Sequence, residues 1–241
     1  MKFLEHSHFE ALNSAFNFDA GVYQISGRLE SYSCKLVVSE KRLFKLWNGT
    51  DGHSPNDLET LSPPNGSFNN RLNGFFFDAL NRMEFLSNLE QFQCNKISRK
   101  TLFYLISTLN ASFNPDYDFS HCRGEEFSRE PCIKDVMDSV DSTFFNTSAR
   151  EEYNEIKSQL WSAIDNHINL SDCEIYRFHP NPSFDLNNEK SIWAYYYFFY
   201  SKKLKRVVFF TFCANRKDDK ETDDGLAIDD SGCISFDIEL M

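Results

Sequence analysis

No stretch of this 241-residue sequence reaches the roughly 18 to 20 uncharged apolar residues that a membrane span requires. The opening MKFLEHSHFE lacks the apolar centre of a signal peptide, so a soluble intracellular protein that does not engage membranes is expected. Paired cysteines are missing too. The seven cysteines are an odd number, scattered singly with no CxxC, which fits reduced, mostly buried thiols and implies neither a zinc site nor a disulfide framework. Equally absent are a G-x-S-x-G elbow, a Walker-type Gly-Lys loop, an H-E-x-x-H pair and a dinucleotide glycine pattern, which lowers the prior for an enzyme and implies no cofactor. Positive charge is in deficit, with 25 Lys and Arg against 36 Asp and Glu. A surface that coats nucleic acid needs clustered cations, so direct sequence-specific nucleic-acid reading is not expected. The deficit is local: nine acidic residues and one lysine from Asp218 to Met241 give −8, leaving −3 of the total −11 for the preceding body.

What the chain has in abundance is aromatic side chains, 25 of them Phe. They concentrate in SIWAYYYFFYSKKLKRVVFFTFC, Ser191 to Cys213, where two apolar, β-branched and aromatic runs flank a short basic segment. That is the pattern of an antiparallel hairpin. Neither arm alternates: Trp193, Tyr195, Tyr197 and Phe199 share one face, and Ile192, Tyr196 and Phe198 the other. A strand apolar on both sides belongs in the middle of a sheet with a layer on each face. The expected class is therefore α+β, a central antiparallel sheet sandwiched between helices.

Taken in order, Ser7 and Glu10 have capping-box spacing ahead of Phe9, Leu12 and Phe16, which predicts a short helix. Tyr23, Ile25 and Leu29 alternate with polar residues, as in a half-covered strand near a sheet edge. From Asn48 the composition turns to Asn, Gly, Ser, Pro and Asp, with Asn48-Gly49, Asp51-Gly52 and Asn65-Gly66 as turn signals. A mobile insertion over 48–96 is expected, its Phe75 to Phe92 part a conditional helix. Ser98 caps a clearer stripe of Leu102, Leu105, Ile106, Leu109 and Phe113 that Pro115 stops. Further helices are predicted from near Ser128 to Pro131, carrying Ile133, Val136, Val140 and Phe144 inward, and from a Ser148/Glu151 capping box ahead of Tyr153, Ile156, Leu160 and Ile164. Cys173 to Phe178 reads as a strand. Residues 1–215 thus form one domain and 216–241 an acidic tail with too little apolar content to fold alone.

Few residues point to chemistry. His167, near Ile164 and Ile168, is read as a satisfied, partly buried histidine, with a metal ligand or general base as the alternative. Asp116 and Asp118 flank Tyr117 as turn and cap residues or, less simply, as cation ligands. Lys202, Lys203, Lys205 and Arg206 match a short import signal, suit an acidic protein partner, or form a solvated tip whose lysines deter edge pairing. Ser54-Pro55 and Ser62-Pro63 lie where a proline-directed kinase can reach, although Ser-Pro is also common in turns.

Several longer motifs remain: MKFLE, GRLESYSCK (Gly27 to Lys35), SRKTLFYLISTLNASFNPDYDFS (Ser98 to Ser120), EFSREP (Glu126 to Pro131), QLWSAID (Gln159 to Asp165) and YFFYSKKLKRVVFF (Tyr197 to Phe210). In their order, from residue 1 to about residue 213, they resemble the boxes of the Maf-one family, eukaryotic repressors of RNA polymerase III transcription. The resemblance implies a non-enzymatic, monomeric protein with Pro115, Asp116, Tyr117, Asp118, Phe119 and Ser120 as a family motif. It also implies binding to the clamp region of the polymerase, which blocks recruitment by the promoter-bound initiation factor. Kinases and phosphatases of nutrient and stress signalling would govern passage between nucleus and cytoplasm. LSPPN, Leu61 to Asn65, resembles a phosphorylated site of animal members, which favours Ser62 over Ser54. The insertion lacks the basic import signal and Arg-x-x-Ser sites of some fungal relatives, leaving KKLKR as the obvious basic cluster. An adaptor of the same fold with a different client is the alternative.

Overall fold

The computed structural model describes residues 1–49, 54–64, 96–181 and 191–217. Their elements run β1 (Lys2–Phe3), α1 (Ser7–Ala15), β2 (Asn17–Asp19), β3 (Tyr23–Ser33), α2 (Val38–Gly49), β4 (Leu58–Thr60), β5 (Lys96–Ser98) and α3 (Arg99–Ser112). There follow β6 (Phe127–Glu130), α4 (Ile133–Phe145), α5 (Arg150–Ile168), β7 (Glu174–Phe178), β8 (Ser191–Ser201) and β9 (Arg206–Arg216). The main sheet has the order β1-β3-β9-β8-β7-β6, with β2 also on β3, while β4 and β5 pair separately.

The aromatic hairpin occupies the centre of that sheet, as its two-sided pattern requires. β9 pairs antiparallel with β3 from Arg216↔Tyr23 to Arg206↔Ser33 and with β8 up to Arg206↔Ser201. Side chains then alternate between two cores. On one face Tyr197, Phe199, Phe210 and Phe212 meet α1, α4 and α5 through Leu12, Val140, Phe144, Leu160 and Ile164. On the other, Tyr196, Phe198, Val207 and Phe209 meet α3 through Leu102, Leu105 and Leu109, with Leu61 and Phe119. The predicted sandwich is present.

Several local expectations are corrected. Ile192 leaves the Tyr196 face because a register shift between Ser191 and Trp193 inserts an extra residue, and its side chain is exposed. Ser98 does cap α3, its Oγ accepting from Thr101 N at 3.1 Å. Neither other capping box forms, because α1 is preceded by His6 and α5 by Ala149, without a side-chain cap bond. Ser128 belongs to β6, and the next helix starts after Pro131 at Ile133. α2 was not anticipated. Its inward residues Phe44 and Trp47 are outnumbered by exposed Val38, Leu43 and Leu46, which blur the apolar stripe.

The proposed boundaries shift as well. Residues 54–64, assigned to the mobile insertion, pack on the body: β4 pairs with β5, and Leu61 is buried in the α3 core. Arg216, assigned to the tail, ends β9, and Lys217 ion-pairs with Asp19 at 2.6 Å. Phe75 to Phe92 and the tail from Asp218 lie outside the described residues.

Candidate interaction surfaces

Ser62 sits in a strap, residues 54–64, laid across the start of α3. Free amides at a helix N-terminus need acceptors, and the strap supplies two: Arg99 N donates to Asp57 O at 2.9 Å and Lys100 N to Pro55 O at 3.2 Å. Ser62 N donates to Phe127 O at 2.9 Å, and the Ser62 hydroxyl donates to Glu125 O. The strap is fastened further by Glu59, whose carboxylate accepts from Gly124 N at 3.0 Å and pairs with Arg99 at 2.5 Å. Arg99, 2% exposed, also donates from Nε to Asn48 Oδ1 at 2.9 Å and lies 4.1 Å from the Trp47 ring centroid. Side chains from α2, β4 and α3 thus meet at one buried guanidinium. Ser54, by contrast, is exposed at the start of the strap, with its backbone bonded to Asp57.

The Pro115–Ser120 motif is a turn that closes the end of α3. Asp118 Oδ1 accepts from Ser120 Oγ at 2.6 Å and Ser120 N at 2.9 Å, and these bonds hold its carboxyl below the usual range. Phe119 N donates to Asn110 Oδ1 at 2.7 Å while its ring is buried 5.6 Å from Phe113. Tyr117 packs half-buried on the same core, and Pro115 and Asp116 are exposed. Turn formation therefore accounts for Asp118, whereas Asp116 contributes only its backbone N–H, to Phe113 O at 2.9 Å.

Lys202, Lys203, Leu204 and Lys205 form the exposed turn between β8 and β9, where Lys205 adopts a left-handed φ of 52°. Its carbonyl accepts from Cys34 N at 2.9 Å, and Arg206 donates to His167 O at 3.5 Å. The three sequence-predicted sites are not brought together. Ser62 bridges to edge strand β6, whereas the basic tip closes the hairpin beyond β7.

His167, His179, Cys34 and Cys173 sit in or against the core. His167 Nε2 lies 2.7 Å from Ser31 Oγ and His179 Nε2 lies 2.8 Å from Ser128 Oγ, with both serines fully buried. Burial pushes both imidazoles down to about 4, and the neighbouring His6 and Arg206 add to the effect at His167, as Arg177 does at His179. The Cys34 and Cys173 thiols are pushed up to about 12, chiefly by burial, so both are held as thiols. Among the described residues no group of three or more His, Cys, Asp or Glu is placed to hold a metal ion. A pH prediction follows. Each depressed imidazole binds fewer protons folded than unfolded, so its contribution to stability is complete above about 6.5 and is lost as pH falls from there towards 4. Glu130, raised by burial, works in the opposite direction. Urea midpoints measured between pH 7 and 4 should fall, and His179→Gln should flatten the slope.

Against this geometry, the family model described as Maf1 regulator matches residues 25–211, from β3 through most of β9. The repressor of RNA polymerase III transcription maf1 of Schizosaccharomyces pombe is 36% identical over 213 residues, 88% of this chain and 82% of that protein. The repressor of RNA polymerase III transcription of Dictyostelium discoideum is 29% identical over 87% of this chain and 83% of its own length. A crystal structure of citrus MAF1 superimposes with a TM-score of 0.59 at 25% identity, covering 87% of this chain and 99% of that one. The match therefore takes in most of the hairpin and helices α2 to α5, which cover both its faces, and the chain belongs to the Maf1 regulator family.

Proposed function

We propose that this protein represses transcription by RNA polymerase III by binding the polymerase itself, as a rigid obstacle and without catalysis. The observation that carries this reading is the 36% identity, over 88% of the chain, to a protein named a repressor of that transcription. The docking target is the clamp region, and the consequence is failed recruitment to the promoter-bound initiation factor. Added to purified polymerase and initiation factors on a short class III gene, the protein should suppress promoter-dependent transcripts and co-purify with the polymerase. Undiminished transcripts at saturating protein would overturn the proposal.

Phosphorylation of Ser62 is the proposed control, with Ser54 as an accessible secondary site. A phosphate removes the hydroxyl hydrogen that Glu125 O accepts and adds roughly two negative charges beside Glu125. The strap loses its fastening there, and polymerase affinity and nuclear residence fall. Gly124→Ala provides the same release without charge, because a Cβ there would stand 2.6 Å from Thr60 O, a backbone atom. Both Ser62 phosphorylation and Gly124→Ala should accelerate proteolysis within 54–64 and weaken polymerase capture by roughly tenfold, a change of about 1.4 kcal/mol. Full capture by a Gly124→Ala protein whose strap is cleaved faster would separate the strap from control.

The basic tip is proposed to serve import or polymerase binding, and one variant tells these apart. Lys202→Ala/Lys203→Ala removes two fully hydrated charges from a turn, so folding should be unchanged within about 0.5 kcal/mol. Loss of nuclear accumulation with normal repression in vitro assigns import, whereas the reverse assigns binding.

A further inference from the structure

α2 carries a cationic stripe on the face turned away from the core. Val38, Lys41, Arg42 and Lys45 recur at helical spacing and are all exposed, while Glu40, Phe44 and Trp47 face inward. Leu43, 58% exposed, lies beside them. The one acid of α2, Glu40, is already engaged: its carboxylate accepts from Val37 N at 2.9 Å and pairs with the chain's amino terminus at 2.7 Å. The stripe also begins next to the hairpin tip, since Cys34, four residues before α2, donates to Lys205 O. Among the described residues, none of Lys41, Arg42, Lys45, Lys202, Lys203 or Lys205 has an ion-pair partner. Exposed apolar side chains stand among these cations, with Val38 67% and Leu204 43% accessible. Such a surface fits a peptide in which acidic and apolar residues alternate.

The chain carries that peptide itself. Residues 218–241 hold nine acids and one lysine, and their last eight, ISFDIELM, interleave Ile234, Phe236, Ile238 and Leu240 with Asp237 and Glu239. Reach is sufficient. β9 ends at Arg216, and its other end, Arg206, adjoins the tip, so the gap is about 36 Å for a strand of 11 residues. The 16 residues between Lys217 and Ile234 span up to about 55 Å when extended. We propose that the C-terminal segment Ile234–Met241 docks on the stripe of α2 and the hairpin tip of the same molecule, masking them until a partner or a rise in salt displaces it. The contact is a property of the free chain, so its test is independent of polymerase repression.

The test is lysine acetylation kinetics read by mass spectrometry on the full chain, with exposed Lys134 on α4 as the internal reference. The comparison variant carries Asp229→Asn, Asp230→Asn, Asp237→Asn and Glu239→Gln, all beyond the described residues. Lys41, Lys45, Lys202 and Lys203 should react about twofold more slowly in the native chain, the outcome when the local Kd equals an effective concentration of about 1 mM. The difference should vanish in 1 M salt, where screening acts within about 3 Å. It should survive tenfold dilution. Equal rates in native chain and variant overturn the proposal. Protection that disappears on dilution assigns the occupant to a second copy, and protection seen only with polymerase added assigns it to the partner, either of which overturns it as well.

Discussion

Arg99→Met should lower the stability of the protein by about 3 to 5 kcal/mol, the range for removing one partner from a buried ion pair. The guanidinium is 2% exposed and Glu59 17%, so neither charge is rehydrated fully when the other is deleted. The loss also orphans Asn48 Oδ1, which accepts from Arg99 Nε and belongs to a buried residue, and it removes the cation from the Trp47 ring. Arg99→Lys keeps the charge without the fork or the stacked plane and should recover only part of the difference. Urea unfolding at neutral pH is the measurement, and Arg99→Met/Glu59→Gln the control that removes the stranded carboxylate. A shift under about 1 kcal/mol would place the pair among exposed salt bridges, whose contribution is of that size. Because the same carboxylate holds Gly124, the variant should also free the strap, so proteolysis at 54–64 should rise before global unfolding.

Nothing in the sequence marks Arg99 as buried. It reads there as the first, charged residue of a helix after the Ser98 cap, and its partners Asn48 and Glu59 lie 51 and 40 positions away. Local periodicity reports which face of an element is covered and carries no register between distant loops. That is why α3, α4, α5 and the hairpin were legible from spacing, while α2, β4 and the strap were not. The strap's composition is that of a turn-rich loop. Its order comes from supplying acceptors to α3 and burying Leu61, both of which are tertiary effects. The failed capping boxes at Ser7 and Ser148 make the same point, since a motif of two residues occurs by chance where the chain enters the helix one residue away. Of the candidate sites, the exposed basic tip was legible because turn and charge coincide, whereas the hydroxyl partner of Ser62 was not.

Phe209→Ala and Phe210→Ala test the central structural claim, since these neighbours on β9 point to opposite faces. Phe209 lies 4.9 Å from Phe198 and 6.1 Å from Phe113, in the core covered by α3. Phe210 lies 5.7 Å from Trp161 and 5.1 Å from Phe212, under α5. Both rings are fully buried, so each truncation should cost about 3 to 5 kcal/mol in lost transfer energy and cavity formation. The two losses should add closely, because the rings share no packing partner even though their backbones adjoin. Domains of ordinary stability hold about 5 to 15 kcal/mol in total, so the double variant should be largely unfolded at 25 °C. Hydrogen exchange should separate the singles: Phe209→Ala loosens the α3 amides first, and Phe210→Ala those of α5. A sheet open to solvent on one side would give a cost near zero for one of the pair, and that asymmetry would remove the rigid two-sided body on which the obstructive mechanism rests.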